Sequence, residues 1–240
     1  MHQAAAEADT EWGDLLSSVA EQLKTPLMII SRQAELSRLT GDHDILQPAI
    51  LQVQADAALQ LVDSYLLGLE LLRSQSRLEL EPVSVASTLV DVAHALSGYA
   101  QQYGVAVEVS VDGKFEPVMA HARGLRAALL SLGFGLIEAQ TVPEGRDRRL
   151  LLAMHRAAGG ITAGVYARHS TVSAGQWRIA QQLLGHSPQP CTALNGSTGA
   201  GLFVADTIFR GMESRLRVGV WQRQRGMAGT LLPSQQLRLV

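Results

Sequence analysis

The stretch Glu21-Gln22-Leu23-Lys24-Thr25-Pro26-Leu27, residues 21–27, lies inside a pattern of apolar residues that recur at steps of three and four. This spacing is typical of the contact face of a coiled-coil-like helix. The face consists of Leu16, Val19, Leu23, Pro26, Leu27, Ile30 and Ala34. Turn-forming residues, Thr40-Gly41-Asp42, then break the pattern. The sequence therefore predicts a long helix that ends just before this turn.

A second helical pattern follows, from about Leu46 to about Arg77. Pro48 is compatible with it, because a proline in the first turn loses no helical hydrogen bond. The apolar face consists of Leu51, Ala55, Leu59, Val62, Leu66 and Leu69. Two helices of about 30 residues, each roughly 45 Å long, with a short turn between them predict an antiparallel hairpin.

A hairpin alone leaves one side of its apolar face in water. Pairing with a second copy in a four-helix bundle would cover it, and on this ground we expect a homodimer. The alternative is that the apolar face packs on the C-terminal part of the same chain.

The rest of the chain alternates between strand-like and helix-like segments. The expected helices are 85–103, 123–139, 176–184 and 201–210, and the expected strands are 79–83, 105–111, 149–156, 161–168, 214–223 and 229–233. Residues 157–160, Ala-Ala-Gly-Gly, have the composition of a hairpin turn between two of these strands. The order predicts an α/β domain whose strands are mostly antiparallel.

Composition excludes several classes of protein. With 240 residues, 47% of them hydrophobic, the chain can form a core, and its formal charge of −2 gives no support to nucleic-acid binding. The single cysteine, Cys191, cannot form an intramolecular disulfide or a thiolate metal site. No run approaches the ~20 apolar residues of a membrane helix. We therefore expect a cytoplasmic protein without membrane insertion.

Two segments resemble sequence boxes of sensor histidine kinases. Residues 21–27 resemble the H-box, His-Glu-Leu-Arg/Lys-Thr-Pro-Leu, and residues 196–202, Gly-Ser-Thr-Gly-Ala-Gly-Leu, resemble the glycine-rich box of the ATP-binding domain. Residues 229–233 resemble the last strand of that domain. The resemblance implies a two-helix dimerisation hairpin at 10–78, then a histidine-kinase-type (GHKL) ATPase α/β sandwich at 79–236.

The first box departs from the family where the phosphoryl group is accepted. Glu21 stands where the family has its histidine, and a carboxylate repels polyphosphate where a neutral imidazole attacks it. Glu21 is then a solvated residue on a helix face. Thr25 matches the threonine that, in the family, helps to position water for dephosphorylation of a receiver domain. The alternative is that Thr25 and Pro26 only set the bend of the helix.

The nucleotide site implied by the resemblance is altered as well. Ser131 and Gly135 stand where the family has two asparagines, the second of which binds Mg²⁺. Ala167 replaces the adenine-binding aspartate, and His169 and Thr171 replace the glycines after it. Arg168 with His169 could contact a phosphate or simply face solvent.

The glycine-rich segment is the part of that site that keeps its residue types: Gly196, Thr198, Gly199, Gly201 and Leu202. As a loop before a helix, it could hold an anion on its backbone N–H groups. Equally, the glycines could be there only because the loop-to-helix turn requires them.

These substitutions lead to the expectation of a degenerate histidine-kinase-like protein, a dimeric regulator or scaffold in two-component signalling without autokinase activity. Its expected partners are a response-regulator receiver domain or another histidine kinase. The alternative is a divergent kinase, or a receiver phosphatase, that retains some ATP binding. No catalytic residue and no metal site is expected, and ATP with Mg²⁺ remains an open possibility as cofactor.

Overall fold

The computed structural model describes residues 20, 23–39, 47–74, 78–140, 147–168, 172–173, 175–176, 178–179 and 197–234. Helix α1 comprises residues 23–39, and helix α2 comprises Pro48–Ser74. Pro48 is the first residue of α2, and the N–H groups of Ile50 and Leu51 bond to the Gln47 carbonyl. Both predicted N-terminal helices are thus present, and the predicted turn at 40–42 lies outside the described residues.

The α/β part begins at residue 81, and most of its regular elements are close to those predicted. The elements are β1 Glu81–Val83, α3 Val85–Gln102, β2 Ala106–Val111, β3 Val118–Ala120, α4 Ala122–Glu138, β4 Arg149–Ala157, β5 Gly160–Ala167, α5 Ser197–Gly211, β6 Leu216–Trp221 and β7 Gln224–Leu231. The strand at Val118–Ala120 was not predicted, and the last strand begins at Gln224 rather than at 229. Five strands form one sheet in the order β2-β4-β5-β7-β6, and β1 pairs with β3. Only β2 and β4 are parallel in the five-stranded sheet, so the prediction of a mostly antiparallel α/β domain is confirmed.

Side chains at the helix starts satisfy backbone groups. The Ser87 N–H donates to the Ser84 hydroxyl at the start of α3. At the start of α4, the Gly124 N–H donates to His121 Nδ1 at 3.0 Å. These caps satisfy N–H groups that a helix leaves without partners. The turn between β4 and β5 uses Gly160 at φ 145°, a conformation that side chains disfavour.

Helices α3, α4 and α5 form a layer on one face of the sheet, and the core lies between the two. Leu89, Leu129 and Phe209 have no exposed surface there. Gly133 of α4 lets Leu96 of α3 pack against the helix backbone, since a Cβ at Gly133 would overlap the Leu96 side chain. Gly133 and Gly135 lower the helix propensity of α4, but Gly133 has a packing reason.

Helix α2 lies across this helical layer. Its Val53 packs on Gly98 of α3, where a Cβ would come within 2.9 Å of the valine. Gly68 of α2 faces Val204 of α5. Ala57, Leu61, Tyr65 and Leu71 of α2 belong to the same apolar core as the α/β part.

The apolar face of α2 that was predicted as a dimer seam is not the face that packs on the domain. Leu59, Val62 and Leu66 are 63%, 36% and 58% exposed. The expectation of a single apolar face on α2 was therefore wrong: one face packs on the chain's own α/β part and a second, apolar face is exposed. The division at residue 78 stays a prediction.

The opposite face of the sheet is covered by the end of the β6–β7 hairpin. The Trp221 ring stacks on His155 of β4, with ring centroids 3.9 Å apart and planes 5° apart. Gln222 Nε2 donates to Ser110 Oγ of β2 at 3.2 Å. Since β5 and β7 separate β4 from β6 in the sheet, the hairpin must curl across it. Leu151, Ala153 and Tyr166 are buried beneath.

Candidate functional site

The residues at the predicted Mg²⁺ and glycine-box positions lie where α4 meets α5. Ser131 has no exposed surface, and its hydroxyl has no hydrogen-bond partner. A Cβ at Gly201 would overlap the Ser131 carbonyl oxygen. Gly201 is therefore required for the close approach of the two helices.

The glycine-rich segment is not a loop over the residues described. Residues 197–202 are already helical, because α5 begins at Ser197 rather than at Gly201. The glycines misled the prediction, since they lower helix propensity by about 1 kcal/mol each. Here they fit because α5 packs tightly: Gly199 and Gly201 are buried, and Leu202 is 2% exposed.

Gly196 lies outside the described residues, and so does the side chain of Thr198. The first turn of any helix leaves backbone N–H groups without helical partners. Anion binding by this segment therefore stays a prediction.

Gly135 lies one turn after Ser131 in α4 and is buried. Its carbonyl accepts a hydrogen bond from the Ala139 N–H at 3.1 Å. With no side chain, it offers no oxygen ligand beyond this backbone group. The structure thus places Ser131 against Gly201, with Gly135 one helical turn further along α4. The roles that the resemblance implies for these residues stay predictions.

Ala167, at the predicted adenine position, is the last residue of β5 and is 2% exposed. A methyl group cannot hydrogen-bond to a base. The neighbouring Arg168 is exposed, and its guanidinium lies 3.3 Å from Asp147 Oδ2, which also pairs with Arg149 at 2.7 Å. His169 and Thr171 lie outside the described residues.

At the H-box, Thr25 is half-buried in α1 and Pro26 is buried. Glu21 lies outside the described residues. The two hypotheses for Thr25, a water-positioning hydroxyl and a residue that only shapes the helix, both stay open.

A cluster of three tyrosines around Glu138 was missed by sequence reasoning. The Tyr99 hydroxyl donates to Glu138 Oε1 at 2.5 Å and lies 3.1 Å from the Tyr103 hydroxyl. Burial, and then the Glu138 carboxylate, raise the pKa of Tyr65 and Tyr99 far above the ordinary value. Burial likewise raises the pKa of Tyr103. These hydroxyls therefore stay neutral beside a carboxylate, and Tyr99 is the one that donates to it.

The tyrosine cluster lies close to the predicted nucleotide site, because Glu138 follows Gly135 by three residues on the same helix. It places an acidic side chain one turn from the predicted Mg²⁺ position, where a triphosphate would meet like charge. The available sequence signal was Glu138 itself, the one acidic residue of α4. Its tyrosine partners come from α2 and α3, so their spacing along the chain gives no hint of the contact.

Among the residues described, no group of three or more His, Cys, Asp or Glu side chains could hold a metal ion. None of the described helices combines the length and apolar character that crossing a membrane requires.

No protein-family model matches the chain, and no curated protein matches it either. Solved structures do. Full-length ShkA in complex with AMPPNP is 18% identical at a TM-score of 0.58, over 96% of this chain and 46% of that one. Histidine kinase AdeS of Acinetobacter baumannii is 17% identical at a TM-score of 0.53, over 89% of this chain and 97% of that one.

A structure described as a bacterial phosphotransferase is also similar, with 10% identity and a TM-score of 0.53 over 92% of this chain and 96% of that one. Identities this low speak for the fold alone. Together with the N-terminal helices and the five-stranded mixed sheet, they establish that this chain has the fold of the histidine kinase catalytic core.

Proposed function

We propose that the chain is a degenerate histidine-kinase-like protein: a cytoplasmic, dimeric regulator or scaffold in two-component signalling that lacks autokinase activity. Gly135 carries this proposal. It is buried in α4 at the position where the family's Mg²⁺ ligand is expected.

Mg²⁺ requires several oxygen ligands in near-octahedral geometry, and carboxylates or amides normally supply them. Gly135 has no side-chain oxygen, and Ala167 has no group for the adenine amine. Ser131, the other altered position, is enclosed against α5. The three substitutions remove different contacts of one nucleotide, so their effects on transition-state stabilisation should combine.

The exposed face of α2 supports the dimeric part of the proposal. Leu59, Val62 and Leu66 are spaced to form one stripe along the helix. An apolar stripe of this kind favours burial against another protein surface. A second copy of α1 and α2 would provide that surface, and the resulting bundle would be the docking face for a receiver domain or another histidine kinase.

The test is the affinity of the full chain for ATP, measured by calorimetry with and without Mg²⁺. We expect that Mg²⁺ does not strengthen ATP binding, because the ligand-bearing side chain is missing. An active histidine kinase core serves as the positive control. A Mg²⁺-dependent gain of about tenfold or more, ~1.4 kcal/mol, would contradict the proposal.

A second candidate function is dephosphorylation of a receiver domain, which needs no ATP. Thr25, the residue matched to the family's water-positioning threonine, is described in α1 and only half-buried. The measurement is the decay of a phosphorylated receiver with wild type, Thr25→Ala and Thr25→Ser. Equal decay rates with wild type and Thr25→Ala would eliminate this candidate.

A further inference from the structure

A groove between α2 and α4 has the features of a second binding site, away from Gly135 and Ala167. A cavity of about 120 Å³ lies between the two helices, and a larger one of about 360 Å³ shares Asp63, Leu67 and Arg123 with it. The α2 lining residues in the smaller cavity, Gln60, Asp63, Ser64 and Leu67, have the spacing of one helix face. The α4 side has the same spacing, from Arg123 to Leu130.

The two walls of the groove carry opposite charges that are not paired with each other. Arg123 and Arg126 are exposed on α4, and Asp63 is exposed on α2. Within the described part of the chain, no ion pair joins Asp63 to either guanidinium. The intervening volume could hold about four waters at ~30 Å³ each, so it is large enough for a small molecule.

Gln60 is another polar residue of the groove that lacks a hydrogen-bond partner for its side-chain oxygen. The side-chain oxygen of Gln60 is buried and accepts no hydrogen bond, although Gln60 lines the smaller cavity. A buried acceptor without a donor costs about 1–3 kcal/mol. An ion pair between Asp63 and the arginines would leave Gln60 unsatisfied, whereas a ligand with an N–H donor could satisfy both Asp63 and Gln60.

We propose that this groove binds a small zwitterion. Its anionic group lies against Arg123 and Arg126, and its ammonium donates to Asp63 and Gln60. Leu67, Ala127 and Leu130 form the apolar floor. Because the site takes residues from both helices, a bound zwitterion holds α2 against α4.

The experiment uses the full chain without nucleotide and records ¹H–¹⁵N spectra during titration with four probes. O-phosphoethanolamine and β-alanine are zwitterions with a phosphate and a carboxylate head, and they show which anionic group the site prefers. Ethyl phosphate and inorganic phosphate lack the ammonium. We expect saturable shifts at residues 60–67 and 123–130 with a zwitterion at a dissociation constant of about 1 mM or tighter, and binding at least about fivefold weaker without the ammonium.

Variants locate the two halves of the interaction. Arg123→Ala and Arg126→Ala should each weaken the zwitterions about tenfold or more, the usual size of a charge-assisted hydrogen bond. Asp63→Asn should weaken O-phosphoethanolamine but leave ethyl phosphate unchanged. Arg225→Ala, an exposed arginine on β7, is the control and should change nothing. The thermal midpoint of wild type should rise with the better zwitterion, and that of Arg126→Ala should rise less at the same ligand concentration.

Absence of saturable binding by both zwitterions up to about 10 mM, an affinity below ~3 kcal/mol, would overturn the proposal. So would equal binding by ethyl phosphate, or binding unchanged in both arginine variants. Because the titration contains no nucleotide, absence of zwitterion binding would not contradict the proposed function. Conversely, Mg²⁺-dependent ATP binding would contradict the proposed function but not the zwitterion site.

Discussion

Gly201 shows how a glycine in a segment that resembles a nucleotide-binding box can serve packing. Glycine-rich segments before a helix often hold phosphates, and residues 196–202 have this composition. In the structure, Gly201 meets the backbone of Ser131 so closely that a Cβ has no room. Close packing of α5 on α4 thus accounts for this glycine without any ligand.

Gly201→Ala should therefore destabilise the fold by about 1–3 kcal/mol, the usual cost of overpacking a core. The gain in helix propensity, about 1 kcal/mol, offsets only part of this cost. Urea unfolding of the full chain measures it. Gly219→Ala is the matched control, since a Cβ there meets nothing within 4 Å, and it should change stability by less than about 0.5 kcal/mol.

If Gly201→Ala and Gly219→Ala both unfold at the same urea concentration as wild type, the conclusion that α5 packs closely on α4 at Gly201 is wrong.

His155 gives the molecule a stability that depends on pH. Burial lowers the pKa of His155, and the Asp112 carboxylate opposes this in part. Its Nδ1 is buried without a hydrogen-bond partner, beneath the Trp221 ring. The unfolded state, where the pKa is about 6.5, then binds the proton more readily than the folded state. Stability attributable to His155 should be complete above pH ~6.5 and fall as the pH drops toward the folded-state pKa.

The measurement is the free energy of unfolding between about pH 5 and pH 8, the range over which histidine titrates. His155→Phe keeps an aromatic partner for Trp221 and should show less loss of stability at low pH than wild type. His94→Gln, at an exposed position on α3, is the control. An identical pH dependence in wild type and His155→Phe would contradict this account.

At the scale of elements, α2 has two apolar faces with different roles. Leu61 has no exposed surface and packs in the core shared with the α/β part, whereas Leu59 and Leu66 are mostly exposed. Over the residues that the structure describes, only the face with Leu61 is covered by other residues of the chain. If the proposed dimer is right, the second face is covered by association.

Substitutions on the two faces should separate folding from association. Leu61→Ala should cost about 2–5 kcal/mol of unfolding free energy. The double change Leu59→Glu and Leu66→Glu should turn a dimer into a folded monomer, seen by analytical ultracentrifugation, with the circular dichroism spectrum retained. A wild type that sediments as a monomer, or a double variant that stays dimeric, would refute the dimer.

Periodicity predicted most elements well, because the spacing of apolar residues reports directly on local structure. The second helix, predicted over 46–77, is found at Pro48–Ser74, and the strands 149–156 and 161–168 are found nearly in place. The same spacing could not show that a different face of α2, with Leu61 on it, packs on the chain's own α/β part. Gln54 and Ser64 look like solvent positions in the sequence and are buried in the fold.

The candidate site was predictable only where residues match a known pattern. Ser131 of α4 meets Gly201 of α5, and the roles that the resemblance implies for Ser131, Gly135 and Gly201 stay predictions. The contact between Tyr99 and Glu138 joins residues 39 apart, and only the packing of α3 on α4 creates it. Likewise, the groove of Asp63 and Arg126 exists because α2 docks on α4, which no local pattern encodes.

For the whole molecule, a kinase-type architecture is combined with a site whose expected ligands are altered. The fold depends on the core between the sheet and the helical layer. Gly135 and Ala167 can take part in that core without a polar side chain. A fold can therefore persist when its chemistry is lost, because packing and catalysis depend on different residues. The chain has the fold, and we propose that it lacks the autokinase chemistry.

The most direct test is incubation of the full chain with γ-labelled ATP and Mg²⁺, followed by measurement of phosphate bound to protein. An active histidine kinase core is run in parallel to show that the assay works. The account predicts no label above background on this chain. Stoichiometric labelling of the chain would contradict it.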